Sequence, residues 1–166
     1  MKIVIGIPAY NEEKNIGSII LKLKQKYDKI IVCDDGSTDM TYSISTALGA
    51  VVVKHKKNQG YGAAIRTIFD EFKKTDSDIL VTFDADGQHK ISEIESMVKP
   101  ILENTADIVI GSRFLGKTID LPKYRKIGIK TITGLTNAIT GTKISDSQSG
   151  FRAYSKKTLN QTSLIE

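Results

Sequence analysis

The 166-residue chain has one cysteine, Cys33, which excludes an internal disulfide framework. Cys33 ends the apolar run Ile30 to Cys33, where a thiol reads as core filler rather than nucleophile. No apolar stretch approaches the ~20 residues that a membrane-spanning helix needs. Nothing at the start reads as a signal peptide, since Lys2 leads at once into a strand that turns polar by Tyr10. Tryptophan is absent and aromatics make up only 7% of the residues, with the lysines scattered along the chain. Basic patches interleaved with aromatics are therefore missing, and no nucleic-acid partner is expected. A Walker lysine pattern is also missing. Gly60-x-Gly62 lacks the third glycine of a dinucleotide fingerprint, because Ile65 stands in its place, and the pair follows the third strand instead of the first. It reads as a glycine-rich helix entry. No Ser/His/Asp or Cys/His arrangement has motif support.

What is present describes an ordinary soluble globular chain, 40% hydrophobic and 26% charged. The length suits one domain that buries roughly two-thirds of its unfolded surface. A net charge of +5 fits phosphate-bearing ligands or an anionic membrane surface, and a plain solubility excess explains it equally well.

Strands are expected at Ile3 to Pro8, Lys29 to Cys33, Ala50 to Lys54, Ile79 to Phe83 and Asp107 to Gly111. Helices alternate with them. One has the apolar face Ile16, Ile19, Ile20 and Leu23, with Asn11 as its cap. Others run over Met40 to Leu48, from Ala63 through Phe72, and over Ile91 to Glu103. This alternation predicts an α/β fold with a mostly parallel, Rossmann-like sheet and helices on both faces. Leu115 to Lys126 reads as a long mobile loop, and Ile127 to Thr140 as a weak helix or amphipathic flap. Asp146 to Tyr154 reads as a turn feeding a short strand. Residues 1–114 are expected to carry the nucleotide and metal site, and 115–166 the acceptor side of the same domain. The final residues read as the start of a helix, suggesting a catalytic portion of something longer.

The stretch Ile79 to His89 organises the rest. A buried strand stops at Asp84-Ala85-Asp86, and alternation along an extended backbone sends both carboxylates to one side. Gln88 continues the alternation with an amide oxygen. Such hard oxygens suit a divalent cation, and ligands bind at this edge of an open α/β sheet. Glu12 follows the first strand, and Asp34 and Asp35 end the second, so a parallel sheet gathers all these acids at one edge. Asp39 reads as a helix cap. His89 reads as a hydrogen-bonding turn residue, and His55 as the end of a strand. Arg113, Arg125 and Arg152 follow at or near the same edge, and a cation with arginines is the chemistry of a phosphate that leaves or attacks.

Five motifs in order carry a resemblance: Pro8-Ala9-Tyr10-Asn11-Glu12, Asp34-Asp35-Gly36-Ser37-x-Asp39, Asp84-Ala85-Asp86-Gly87-Gln88-His89, Gly111-Ser112-Arg113-Phe114 and Asp146-Ser147-Gln148-Ser149-Gly150-Phe151-Arg152. Over essentially its whole length the chain resembles family 2 inverting glycosyltransferases of GT-A fold, and among them the polyprenyl- and dolichyl-phosphate sugar synthases. The resemblance implies that Pro8, Ala9, Tyr10, Glu12, Asp84 and Ala85 line the nucleotide pocket, with Asp35 or Asp34 holding the base. It implies Mg²⁺ or Mn²⁺ on Asp84, Asp86 and Gln88, and phosphate contacts from Arg113 and Arg125. Arg152 belongs to the catalytic set, and Asp146 falls where many members place the acid that serves the acceptor. Lys90 departs from the family, standing where these synthases often carry proline.

The expected reaction moves a hexose from a GDP- or UDP-hexose to a polyprenyl phosphate with inversion. A lipid phosphate arrives ionised and needs no base, which leaves Asp146 structural, orienting Arg152 or the turn at Gly150. A sugar or protein hydroxyl would instead need Asp146 as general base. A cytoplasmic location is expected, with peripheral membrane contact allowed. Three rivals fit less well. A sugar-1-phosphate nucleotidyltransferase opens with a glycine-rich, basic signature that Pro8 to Glu13 lacks. A receiver-type signalling domain has its acid pair after the first strand and a lysine after the fifth. A catalytically silent relative would not keep every metal-site residue.

Overall fold

The computed structural model describes residues 1–86, 89–114, 123–141 and 143–161. The elements are β1 (Ile3–Ala9), α1 (Glu13–Lys24), β2 (Lys29–Asp34), α2 (Thr41–Ala47), β3 (Val51–Lys54), α3 (Tyr61–Lys73) and β4 (Ile79–Thr82). A 3₁₀ turn at Ile91–Glu93 runs into α4 (Ile94–Leu102), followed by β5 (Ile108–Ile110), α5 (Lys123–Thr140), β6 (Arg152–Ser155) and α6 (Lys156–Gln161).

The six strands form one sheet in the order β3-β2-β1-β4-β6-β5. β1 pairs in parallel with both β2 and β4, and β2 with β3. β6 runs antiparallel to β4 on one side and to β5 on the other. Because β4 and β5 both oppose β6, they share a direction. The carboxyl ends of β1, β2, β4 and β5 therefore lie along one edge, as the alternation of strands and helices required.

Strand side chains divide the core into two layers. Ile5, Ile7, Ile30, Val32 and Val81 pack with Ile16, Ile20 and Leu23 of α1 and with Met97, Val98 and Ile101 of α4. Val4, Ile31, Cys33 and Leu80 face the other way, against Ala64, Ile68 and Phe72 of α3 and Leu159 of α6. Cys33 is wholly buried, and burial pushes its thiol up to about 12, so it stays a neutral core group.

Three expectations need correction. Asn11 does not cap α1: it has φ 55°, and its Oδ1 accepts the Thr38 amide while its own amide donates to Ser37 Oγ. The capping acceptor comes from the neighbouring turn, where Asp39 takes the Glu13 amide at 3.1 Å and the Thr41 amide at 2.9 Å. One acid thereby serves the first turns of two helices, and Glu13 returns a bond to the Met40 amide. Second, helix rather than loop begins at Lys123, because the periodic apolar residues of α5 extend further back than the basic composition suggested. The rest of the expected loop, 115–122, lies outside the described residues. Third, β5 is shorter than Asp107 to Gly111, since only Ile108–Ile110 pair with β6.

Candidate active site

The sheet's carboxyl edge opens into a cavity of about 440 Å³ lined by residues of three strand ends and one helix start. Pro8, Ala9, Tyr10 and Glu12 line it from β1, Asp35 from β2, and Asp84, Ala85 and Asp86 from β4. Asn58, Gly60, Tyr61 and Ala64 close the fourth side, and sequence reasoning missed them. The glycine pair Gly60-x-Gly62 was a usable signal. It is no dinucleotide fingerprint, yet a glycine-rich helix entry at this edge leaves open space beside the backbone, with nothing within 4 Å of a Cβ at Gly60 or Gly62.

Asp34 and Asp35 are neighbours with opposite fates. Asp34 turns inward and is fully buried: Oδ1 accepts the Ser37 amide at 2.9 Å, and Lys54 Nζ stands 3.5 Å from Oδ2. It shapes the turn and does not line the cavity, so the nucleotide-binding expectation at Asp34 is not met. Asp35 does line it. Its Oδ1 takes His55 Nδ1 at 2.6 Å and the Gln59 amide at 2.9 Å, and Oδ2 takes the Gly60 amide at 2.8 Å. Burial alone would push this carboxyl up, but those donors outweigh it and hold it below the usual range.

His55 therefore does more than end a strand. A carboxylate can only accept, so Nδ1 carries a proton, and Nε2 lies 2.8 Å from Thr67 Oγ1. The loop 56–60 is thus pinned over the end of β2. Gly36 makes that crossing possible, at φ +77°. A Cβ there would come within 2.5 Å of the Lys57 carbonyl carbon and 2.6 Å of the Asn58 nitrogen.

Asp84 stands where three cavities meet. It lines the first and also a second, of about 400 Å³, with Tyr61, Ile65, Thr82, Arg152 and Tyr154. A third, also about 400 Å³, is lined by Asp84, Asp86, His89, Arg113, Ile129 and Ile132 together with the 148–150 turn. Asp84 Oδ1 accepts from Tyr61 Oη at 3.2 Å, and Oδ2 lies 3.0 Å from His89 Nε2. The His89 ring stacks on Phe151 with centroids 4.9 Å apart. Burial, reinforced by Asp84, pushes the Tyr61 phenol well up, so it remains a donor. Among the described residues no three His, Cys, Asp or Glu groups cluster as a metal site. Two carboxylates beside a cavity still fit Mg²⁺ or Mn²⁺, because such ions complete their shell with substrate phosphates and water. Gln88 lies outside the described residues.

Arg113 and Asp146 form a bidentate pair, Nε to Oδ2 at 2.7 Å and Nη2 to Oδ1 at 2.8 Å. The Arg113 and Gln148 amides add bonds to the same carboxylate, whose side chain is fully buried. Burial would push Asp146 up, and these donors hold it below the usual range. Asp146 thus orients Arg113 and the 147–150 turn, not Arg152. Arg152 is held by two carbonyls, Nε to Ser149 O and Nη2 to Ser147 O, both at 2.8 Å. Arg125 falls within α5, with its side chain outside the described set.

A six-stranded α/β sheet whose carboxyl edge holds a paired-acid cavity defines a nucleotide-diphospho-sugar-binding fold of GT-A type. The profile described as Glycosyl transferase family 2 matches residues 4–162, and the chain belongs to that family. It is 36% identical over 177 aligned positions to the UDP-N-acetylglucosamine–dolichyl-phosphate N-acetylglucosaminyltransferase of Methanococcus voltae, covering 95% of this chain and 70% of that protein. It is 40% identical to an uncharacterized protein of Methanocaldococcus jannaschii, MJ1222, covering 93% of this chain and 65% of that one. Among solved structures, glucosyl-3-phosphoglycerate synthase from Mycobacterium tuberculosis with Mn²⁺, UDP-glucose and phosphoglyceric acid superposes with a TM-score of 0.73 at 25% identity. That match covers 94% of this chain and 57% of the synthase, so the chain spans little more than half of that enzyme.

Proposed function

We propose that the chain is the catalytic part of an inverting hexosyltransferase that moves a sugar from UDP onto a polyprenyl phosphate. One observation carries the reading: the cavity holding Asp35 and Tyr61 and the cavity holding Arg113, Ile129 and Ile132 share Asp84 and Asp86. The first suits a nucleoside diphosphate. The second joins a guanidinium to apolar side chains, which matches an anionic headgroup on a hydrocarbon chain. The two acids stand between them, where a sugar would pass.

Asp35 supports a uridine donor. A carboxylate offers about four lone-pair positions, and His55, Gln59 and Gly60 take three of them. One position remains, on Oδ2. Uracil presents a single ring N–H beside its carbonyls and fits that vacancy. Guanine presents N1–H and N2–H side by side and would need both oxygens. Uridine is therefore favoured over guanosine.

Asp84 and Asp86, with Gln88, would hold Mg²⁺ or Mn²⁺, which offsets the negative charge that builds on the departing diphosphate. Arg113, fixed in orientation by Asp146, holds the acceptor phosphate in line. That phosphate needs no base, and Asp146, fully hydrogen-bonded and kept ionised by Arg113, is poorly placed to act as one. The relative from Methanococcus voltae, named for a UDP-sugar donor and a dolichyl-phosphate acceptor, supports the same pairing.

Thermal-shift measurements with UDP and GDP, each with and without Mn²⁺, test the donor. Stabilisation by UDP alone, and only with metal, is expected. Equal shifts with GDP would remove the uridine assignment. Transfer to a short-chain polyprenyl phosphate, compared with phosphoglycerate and a free sugar hydroxyl, tests the acceptor, and preference for either of the latter would overturn it.

A further inference from the structure

Asp35 offers the nucleotide cavity one open acceptor position, and the direction of that position depends on how the carboxylate is turned. Three donors set the turn. The Gln59 and Gly60 amides, at 2.9 and 2.8 Å, come from adjacent residues of one loop, and alone they act as a hinge about which the carboxylate can tilt. The third donor, His55 Nδ1 at 2.6 Å from Oδ1, comes from the end of β3 and stops that tilt.

His55 is itself fixed at both ends. Its backbone amide donates to the Asp34 carbonyl at 2.9 Å, just past the last paired residues of β2 and β3. At the tip of its ring, Nε2 lies 2.8 Å from Thr67 Oγ1 on α3 and 3.5 Å from the neutral Cys33 thiol. The imidazole is 10% exposed and the carboxylate it meets 5%. His55 does not line the cavity, so whatever it does to a ligand it does through Asp35. Packing alone does not account for the choice of residue. An apolar side chain would fill the same space and leave Oδ1 one donor short in a site nearly sealed from water.

We infer that His55 is the positioning residue for base selection, holding Asp35 so that the free position on Oδ2 meets a ring N–H. The inference deepens the uridine reading and rests on it. Uracil and cytosine are alike in size and differ at this edge: uracil carries N3–H, cytosine a bare N3 beside an exocyclic amine. A fixed Oδ2 accepts from the first and repels the second. A carboxylate free to tilt reaches the cytosine amine as well as the uracil N–H, and its preference narrows. A supporting residue on a rigid element is what keeps such a contact selective.

The test is calorimetry of UDP and CDP binding, with Mn²⁺, to the wild type and to His55→Ala, His55→Asn and His55→Gln. An asparagine amide nitrogen falls at the Nδ1 position and keeps the donor to Asp35, whereas a glutamine amide falls nearer Nε2 and does not. The wild type should prefer UDP by about tenfold or more. His55→Ala should lose about tenfold in UDP affinity and much less in CDP affinity. His55→Asn should keep most of the preference, and His55→Gln should resemble His55→Ala. In transfer, the loss should fall on KM for the UDP-sugar and little on kcat, because the base is held alike before and during reaction. Adding His55→Ala to Asp35→Ala should bring no further loss.

A wild-type ratio of UDP to CDP affinity in His55→Ala, or an asparagine variant no better than the glutamine one, overturns the inference and leaves the uridine reading standing. A loss carried by kcat instead of KM also overturns it. A wild type that binds UDP and CDP equally sinks the uridine reading, and the inference with it. If His55→Ala does not fold, the asparagine and glutamine variants decide between them. If none of the three folds, His55 is structural and the inference fails.

Discussion

Asp146 gives both carboxylate oxygens to Arg113, at 2.7 and 2.8 Å, and does so fully buried. Arg113 reaches the candidate acceptor cavity, whereas Asp146 does not line it. The pair therefore works through the arginine, with the acid fixing the plane of the guanidinium. Asp146→Asn leaves Arg113 without its counter-charge and with a poorer fork.

Transfer should fall about 10²-fold in Asp146→Asn, the usual size of a small misplacement at a reacting group. Arg113→Ala should fall at least as far, and the double variant no further, since both changes break one unit. The wild-type rate should show no acid limb assignable to a carboxylate base. If the double variant loses the product of the single losses, or if such a limb appears, Asp146 acts directly and the hydroxyl-acceptor reading gains.

A methyl group at Gly150 has no room. Its Cβ would lie 2.5 Å from both Asp84 Oδ2 and Tyr61 Oη. Because Gly150 sits on the turn that Asp146 and Arg152 tie down, the carboxylate must move instead of the backbone. Gly150→Ala should keep the fold and lose about 10²-fold in transfer. Nucleotide affinity in the presence of Mn²⁺ should fall with it, which calorimetry reads directly. Near-normal activity would mean that the turn yields and that Asp84 is not held where the geometry suggests.

Much of this was legible in the sequence. Apolar runs closed by acids marked the strand ends, and the direction of β1, β2 and β4 followed from alternating helices, so Asp35, Asp84 and Asp86 could be placed at one edge. The burial of Ile16, Ile19, Ile20 and Leu23 followed from their helical spacing. The division of labour between Asp34 and Asp35 was not legible, because adjacent acids look alike until the strand's twist and the crossing loop choose which one turns inward. His55 escaped for a similar reason: its partners Asp35 and Thr67 lie 20 and 12 residues away, and no local pattern encodes them. Asn11 misled because a good capping residue also tolerates positive φ, and here the second property is used. The outward direction of Ile127, Leu135 and Ile139 on α5 was missed because periodicity reports a stripe without saying which way it points.

Acid should unfold the protein through particular residues. Asp35, Asp39 and Asp146 are each held below the usual carboxylate range despite opposing burial, by donors that the folded chain supplies. A depressed carboxyl contributes stability that is complete above its unfolded pKa, about 4, and is lost as pH falls through the folded value. The melting temperature should therefore stay level from neutral pH down to about 5 and drop steeply below about 4. In Asp146→Asn the melting temperature at neutral pH should be lower and the acid drop shallower. An unchanged acid profile in that variant would show that Arg113 contributes nothing to the folded state through this pair.

The paired acids of β4 make the sharpest prediction. Asp84 and Asp86 line both the candidate nucleotide cavity and the candidate acceptor cavity, so on the proposed reading a cation they hold would face the diphosphate and the incoming group together. Neither acid is part of the apolar core. Asp84 meets Tyr61 and His89 through single bonds that an asparagine can partly replace. Asp84→Asn and Asp86→Asn should each leave the metal-free melting temperature within a few degrees of wild type, as expected when the loss is about 1 kcal/mol or less. Each should abolish the added stabilisation that UDP gives with Mn²⁺, and transfer should fall by about 10³-fold or more as charge on the leaving diphosphate goes uncompensated. Chelation should reduce the wild type to the level of the variants and leave the variants unchanged. If a variant unfolds, its acid is structural, and the metal assignment fails at that position. If chelation slows the variants as much as it slows the wild type, the cation sits elsewhere and the two carboxylates serve the sugar.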